Sequence, residues 1–115
     1  MDKLDNPDNQ DKQIQEEQVK LDKLDKLQLY TELYDFYGPV LTEKQNICFS
    51  MHYLEDMSFS EIGTVLGVTP QAIADQLRRT IGILQNYEDK LGFIKSHHER
   101  QTKIGKIIKL LMEVQ

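Results

Sequence analysis

A few polar residues at helical spacing carry the chemistry needed to read nucleic-acid bases. In the second half of the chain, apolar residues beginning with Ile73 and Leu77 recur at spacings of four and three, which is typical of a helix buried along one side. If Ile73 and Leu77 point inward, Gln71, Asp75 and Arg78 lie on the opposite face. This face is a candidate for contact with a major groove.

Each residue of this face has a definite chemical use. Gln71 has the donor and acceptor needed to pair with adenine, and Arg78 can pair with guanine. Asp75 could accept a hydrogen bond from cytosine, although its charge would meet the negative potential of the groove. Arg79 lies on the flank, within reach of a phosphate. The candidate nucleic-acid-binding residues are Thr69, Gln71, Asp75, Arg78 and Arg79.

The elements around these residues predict a helix-turn-helix over about residues 58–91. Ser58 or Ser60 can cap a short helix that ends at Gly67, and we expect Val68 to fill the angle of the turn. Thr69 is then an N-cap residue, followed by proline at the first helical position. The seam that starts at Ile73 lasts almost to Gly92, so the second helix is long.

The rest of the chain also has helical periodicity. From Leu27 onward, tyrosines and other large apolar residues form one face of a predicted helix, which ends at Gly38-Pro39. Thr42 can cap a further helix with one apolar side. That side comprises Ile47, Cys48, Met51 and Leu54. No segment alternates as a strand does, so we predict an all-α fold.

A last amphipathic helix is predicted at about residues 95–114. Residues 92–115 carry five cations against two acids, a net charge of +3. Their apolar stripe could enter a groove on a partner or on a second subunit, or it could fold back onto the core of the chain. The candidate partner-binding residues are Lys103, Lys106, Lys109, Ile104 and Ile108.

Composition bounds the class of protein. The 115 residues suit one domain, and we place it at residues 21–115, after a polar tail of residues 1–20 that we expect to be disordered or frayed. No apolar stretch is long enough to span a bilayer, and no secretory signal region is visible, so we expect a cytoplasmic protein without membrane insertion. The lone cysteine fits a reducing compartment.

Charge is distributed unevenly. The net charge of −5 comprises −3 over residues 1–26, −5 over residues 27–68 and +3 over residues 69–115. Residues 42–91 contain four cationic and seven acidic side chains. A monomeric DNA-binding domain usually has the reverse, an excess of cations. A helix-turn-helix used to dock protein or RNA is therefore the stronger interpretation, with DNA binding as the alternative.

Several segments resemble two known families. Residues 41–45 and 53–62, LTEKQ and YLEDMSFSEI, are similar to the fourth conserved region of bacterial sigma factors. Residues 34–45, together with RRT at 78–80 and YEDKL at 87–91, resemble the YlxM family of small bacterial proteins. The resemblance covers about residues 27–100 and does not extend to the N-terminal tail. It implies a helix-turn-helix protein linked by gene neighbourhood to the signal recognition particle and its receptor.

The sequence gives little support for metal binding or enzyme catalysis. Cys48 and His52 share a helical face, but no second pair completes a zinc site, and His97 and His98 diverge around a helix, as solvated residues do. Phosphate-binding loops and nucleophile motifs are lacking, so we predict no enzyme activity, no metal and no cofactor.

The resemblance to the YlxM family implies a regulatory or accessory protein of the signal recognition particle pathway, and we expect it to bind the particle's protein or RNA. The alternative is a transcription regulator that binds DNA as a homodimer.

Overall fold

The computed structural model describes the backbone of residues 7–114 and the side chains of residues 10–114. Within these residues there are five α-helices and no strand, which confirms the all-α prediction. The helices are α1 (Pro7–Tyr37), α2 (Glu43–Phe49), α3 (Phe59–Leu66), α4 (Pro70–Leu91) and α5 (Phe93–Glu113). A short 3-10 turn, Gly38–Val40, follows α1, and a π-helical turn, Ser50–Leu54, continues α2.

The chain divides into two compact units between Thr31 and Glu32. The described part of the first unit is a single stretch of α1. The second unit contains the end of α1 and all the other helices. This division falls later along the chain than the boundary after residue 20 that the sequence predicts.

Residues 7–20 are helical, although their composition predicts a disordered or frayed tail. Residues 1–6 of that tail lie outside the described residues. The stretch is rich in Gln, Glu, Asp and Lys, and it contains neither glycine nor proline after Pro7, which begins the helix. Side chains four apart support each other, as where the Gln18 amide donates to Asp22. Local propensity thus suffices for a helix whose side chains are all exposed from residue 10 to residue 29.

The helix-turn-helix is present as α3, a tight turn and α4. The Ser58 hydroxyl accepts a hydrogen bond from the Glu61 amide, and the Glu61 carboxylate accepts one from the Ser58 amide, so Ser58 rather than Ser60 caps α3. Gly67 ends α3 in the left-handed region at φ 74°. Thr69 caps α4 by accepting from the Ala72 amide, and Pro70 follows at the first helical position.

The close approach of the two helices depends on Gly63. A Cβ atom at this position would lie 2.5 Å from the carbonyl oxygen of Val68, and that oxygen belongs to the backbone of the turn. Val68 itself is exposed, so the expectation that its side chain fills the angle of the turn is wrong. The glycine fills that role by letting backbone meet backbone.

The core of the second unit lies among α2, α3, α4 and the end of α1. Tyr34 of α1 stacks on Phe49 of α2 with ring centroids 4.4 Å apart, and its hydroxyl donates to the Asn46 side chain. The buried apolar residues are Leu33, Tyr37, Leu41, Cys48, Phe49, Ile62, Ile73, Leu77, Leu84 and Ile94. The seam predicted on α4 is therefore buried up to Leu84, but Tyr87 and Leu91 at its end are exposed.

The helix after Thr42 differs from its prediction. Thr42 caps α2 as expected, in a capping box with Gln45. The apolar side predicted for this helix holds only in part, because Ile47 and Leu54 are exposed while Phe49 is fully buried. The π-helical turn widens the helix from Ser50 onward, which shifts the later residues away from regular α-helical positions.

A hydrogen-bond network at the junction of α4 and α5 sets the start of α5. The Glu88 carboxylate accepts from the Ile94 amide and from the Tyr37 hydroxyl, each at 2.8 Å. The Tyr37 hydroxyl in turn accepts from the Phe93 amide. Because Gly92 has no side chain to cap α5, Glu88 and Tyr37 satisfy amides that would otherwise lack partners.

Beyond this junction α5 leaves the core. Ile94 is its only buried residue, and every described residue from position 98 onward is exposed. The C-terminal apolar stripe therefore does not fold back onto the core of the chain, which was one of the two alternatives. Among the helices of the described residues, none combines the length and apolar character needed to cross a membrane.

Candidate nucleic-acid and partner interfaces

The residues predicted to contact nucleic acid lie on one side of α4 and its N-cap. Gln71, Asp75, Arg78 and Arg79 are all exposed, and the buried residues Ile73 and Leu77 point into the core. The hydroxyl oxygen of Thr69 is engaged as the cap of α4, which leaves its proton as a donor. The side chains are thus available at the surface, with spacing set by the helix.

The electrostatics of this face are mixed. Arg78 donates from Nη1 to Asp75 Oδ1 at 3.0 Å, an exposed ion pair within one helical turn. Such pairs are weak, so a base or a phosphate could replace the carboxylate as the partner of Arg78. Asp75 would then remain in the middle of the face as a negative charge. The arrangement therefore favours direct contact with a phosphate backbone less than a face with cations alone would.

The second candidate surface is the distal part of α5. The side chains of Lys103, Lys106 and Lys109 are exposed there, and no hydrogen bond or ion pair engages them among the described residues. Ile104 and Ile108 are also exposed on this helix. A basic side and an apolar side are thus presented together at the part of α5 that lies beyond the core.

Cys48 and His52 lie outside any cluster of metal-binding side chains among the described residues. No group of three or more His, Cys, Asp or Glu residues that could hold a metal occurs within the described part of the chain. Cys48 is fully buried, and burial raises the pKa of its thiol, with a smaller opposing effect from Lys44. A ring nitrogen of His52, Nδ1, lies 2.8 Å from the Met57 carbonyl oxygen. These contacts are those of a packed core and its edge.

Of the two histidines predicted to be solvated, His98 is exposed and His97 is half-buried, and both contact the end of α1. His97 is half-buried with its ring against the edge of Phe36, at 5.5 Å between centroids. His98 Nε2 pairs with the Glu32 carboxylate. Both partners belong to the end of α1 and are more than 60 residues away in the chain. The sequence also did not indicate the role of Glu88, because no local spacing identifies a carboxylate that caps the following helix.

These observations define a class of protein. A short capped helix, a left-handed glycine at the corner and a long helix opened by Thr-Pro make this chain a helix-turn-helix protein. Comparison with known families identifies it further. Residues 21–115 match the UPF0122 family, described as "Putative helix-turn-helix protein, YlxM / p13 like", and the chain belongs to that family.

Curated relatives support this assignment. A UPF0122 protein of Caldanaerobacter subterraneus subsp. tengcongensis is 48% identical over 77 residues, which are 67% of this chain and 66% of the relative. One from Bacillus mycoides is 42% identical over 81 residues, or 70% of this chain and 74% of the relative. The first alignment thus spans slightly less than two thirds of the relative's length. Neither name states an activity, a ligand or a partner.

Proposed function

We propose that this protein is a non-enzymatic accessory factor of the signal recognition particle pathway and that it contacts the particle's protein or RNA through the basic side of distal α5. The main support is the exposure of Lys103, Lys106 and Lys109 on a helix that extends beyond the core. These residues belong to a segment of net charge +3 in a chain whose other residues are strongly acidic. The link to the pathway comes from the resemblance to the YlxM family.

The charge distribution favours this surface over the face of α4. Residues 42–91, which contain the helix-turn-helix, have a net charge of −3. Long-range attraction of an RNA phosphate backbone or an acidic protein surface depends on local potential, and distal α5 supplies the positive potential. Under this proposal the helix-turn-helix serves mainly to hold α5 in place.

The second candidate function is DNA-binding transcription regulation as a homodimer. The observation in its favour is the exposure of Gln71, Arg78 and Arg79 along one side of α4, where side chains of a recognition helix lie. Two weak half-sites in a dimer could compensate for the acidic charge of each subunit. In this case base contacts, rather than α5 lysines, would supply specificity.

A comparison of two variants separates these functions. In one, Lys103, Lys106 and Lys109 are changed to Glu; in the other, Gln71 and Arg78 are changed to Ala. Binding is measured to the purified particle protein, to its RNA and to mixed duplex DNA over a range of salt concentrations. Circular dichroism verifies that both variants remain helical.

We expect the lysine variant to lose binding to the particle's protein or RNA, and the α4 variant to retain it. Binding of RNA should weaken steeply with salt. For each phosphate contact, the logarithm of the association constant should fall by about 0.7 to 0.9 for every tenfold rise in salt concentration. If only the α4 variant loses binding, and the ligand it loses is DNA, the accessory-factor proposal is replaced by the regulator.

A further inference from the structure

We propose that the apolar side of distal α5 binds the same side of α5 in a second copy of this chain, with the two helices antiparallel. This inference goes beyond the proposed function, because it concerns a different side of the helix from Lys106 and Lys109. It assigns Ile104, Ile107, Ile108 and Leu111 to a homodimer interface. We call these four residues the α5 stripe.

The α5 stripe is uncovered in the single chain. The exposed fractions are 47% for Ile104, 56% for Ile107, 52% for Ile108 and 64% for Leu111. Isolated apolar residues at a surface are ordinary, but four large aliphatic residues on three consecutive turns form a continuous patch. Such a patch on a helix that leaves the core indicates an interaction surface.

The geometry of the α5 stripe suits another helix. Its residues lie within about 100° of arc around the helix axis, at spacings of three, one and three. These are the spacings at which two helices interlock their side chains. Lys106 and Lys109 lie on the far side of the helix from Ile104, so two copies can join along the α5 stripe without bringing these charges together.

Charge complementarity indicates that the occupant is a second α5 in the opposite direction. Arg100 lies about one turn before Ile104 and on the same side of the helix. The other end of α5 carries partial negative charge on its last carbonyl groups, at the C-terminus of the helix. If Ile107 pairs with Ile108 of a second copy, each Arg100 comes to the carboxyl end of the opposite helix. A parallel pair would set Arg100 against Arg100.

The size of the α5 stripe predicts a weak dimer. The stripe is eight residues long, which is about 12 Å of helix, so the buried area falls below the ~1,200 Å² of a standard stable interface. We therefore expect monomer and dimer to exchange, with the dimer favoured at high protein concentration. Lys106 and Lys109 then lie on the outer sides of the pair.

Sedimentation equilibrium of the full chain over a wide concentration range tests the proposal. The mass should rise from the 13.5 kDa of one chain toward twice that value. Changing Ile104 and Ile108 to Ser should raise the dissociation constant of the dimer at least about tenfold. The matched control changes Lys106 and Lys109 to Ser on the same turns and should leave the dimer intact. Circular dichroism establishes that α5 remains helical in both variants.

Arg100→Gln tests the direction of the pair. In an antiparallel dimer this change removes a favourable contact at both ends and should raise the dissociation constant by about 3- to 30-fold. In a parallel dimer it removes a repulsion, so tighter association would overturn the antiparallel arrangement. A chain that stays at 13.5 kDa at several hundred micromolar would overturn the homodimer and assign the α5 stripe to a different protein. Neither result bears on the lysine variant, whose partner binding is measured separately.

Discussion

At the scale of single residues, the Glu88 side chain joins three helices through its hydrogen bonds. Its carboxylate links the end of α4 to the first amides of α5 and to Tyr37 of α1. A buried tyrosine hydroxyl that donates to a carboxylate is held in its protonated form, because ionisation would place two negative charges side by side. Burial, and then the hydrogen bond to Glu88, raise the pKa of Tyr37.

This pKa shift predicts a loss of stability at alkaline pH. An unfolded tyrosine loses its proton near pH 10, whereas Tyr37 in the folded chain keeps it to higher pH. The contribution of this residue is therefore fully present below pH 10 and disappears as the pH rises through the folded value. Urea unfolding between pH 8 and pH 11 should show a steeper decline for the wild type than for Tyr37→Phe.

Glu88→Gln provides the control for the cause of the shift. Removing the charge leaves Tyr37 buried, so the alkaline decline should be intermediate between those of the wild type and Tyr37→Phe. Parallel pH curves for the wild type and Tyr37→Phe would contradict the proposed role of this hydroxyl. At neutral pH, Tyr37→Phe should cost about 0.5 to 1.5 kcal/mol, as loss of one hydrogen bond usually does.

At the scale of elements, the corner between α3 and α4 depends on backbone contact. Gly63 lies where α3 meets the turn, and a methyl group there would overlap the Val68 carbonyl oxygen. Gly63→Ala should lower the free energy of unfolding by about 1 to 3 kcal/mol, because the turn and α3 must move apart. The chemical-denaturation midpoint measures this effect.

Gly82 offers a matched glycine in an exposed helix position. A Cβ atom at Gly82 would meet no atom within 4 Å, and the residue lies in the middle of α4. Gly82→Ala should therefore stabilise the protein by about 0.5 to 1 kcal/mol through helix propensity. If Gly63→Ala and Gly82→Ala change the free energy of unfolding in the same direction, then close packing at the corner is not the reason for a glycine at position 63.

At the scale of the whole molecule, the described chain has a packed unit and long exposed helical segments. Residues 10–29 of α1 are exposed, whereas Leu33, a turn after them, is completely buried. Removing residues 1–20 should lower the helical signal in circular dichroism but change the thermal midpoint by less than about 4 °C. The prediction that this segment is dispensable for folding thus depends on the exposure of residues 10–20.

Leu33→Ala is the contrasting change on the same helix. It removes a fully buried side chain and should cost about 2 to 5 kcal/mol, which lowers the midpoint well beyond any effect of the deletion. A deletion that destabilises the chain as much as Leu33→Ala would show that the first residues contribute to the fold.

The sequence by itself determined the features that depend on neighbouring residues. Helix starts at Thr42, Ser58 and Thr69 follow from side chains that bond amides three residues on, and helix ends at Gly67 and Gly92 follow from the left-handed conformation that glycine permits. The helix-turn-helix could be predicted for that reason, whereas the family was indicated by the resemblance of residues 34–45, 78–80 and 87–91 to its members. The exposed face of α4 also follows, because helical periodicity alone sets it.

Only the tertiary structure decided which apolar residues become core and which remain uncovered. The stripe of α5 and the seam of α4 have similar periodicity, yet Leu84 is buried and Leu111 is exposed. The difference arises because α4 packs against α2 and α3, whereas α5 leaves the core after its contacts through Ile94, His97 and His98. Contacts such as Glu88 with Ile94 and His98 with Glu32 set that direction, and a one-dimensional pattern carries no information about pairs brought together by folding.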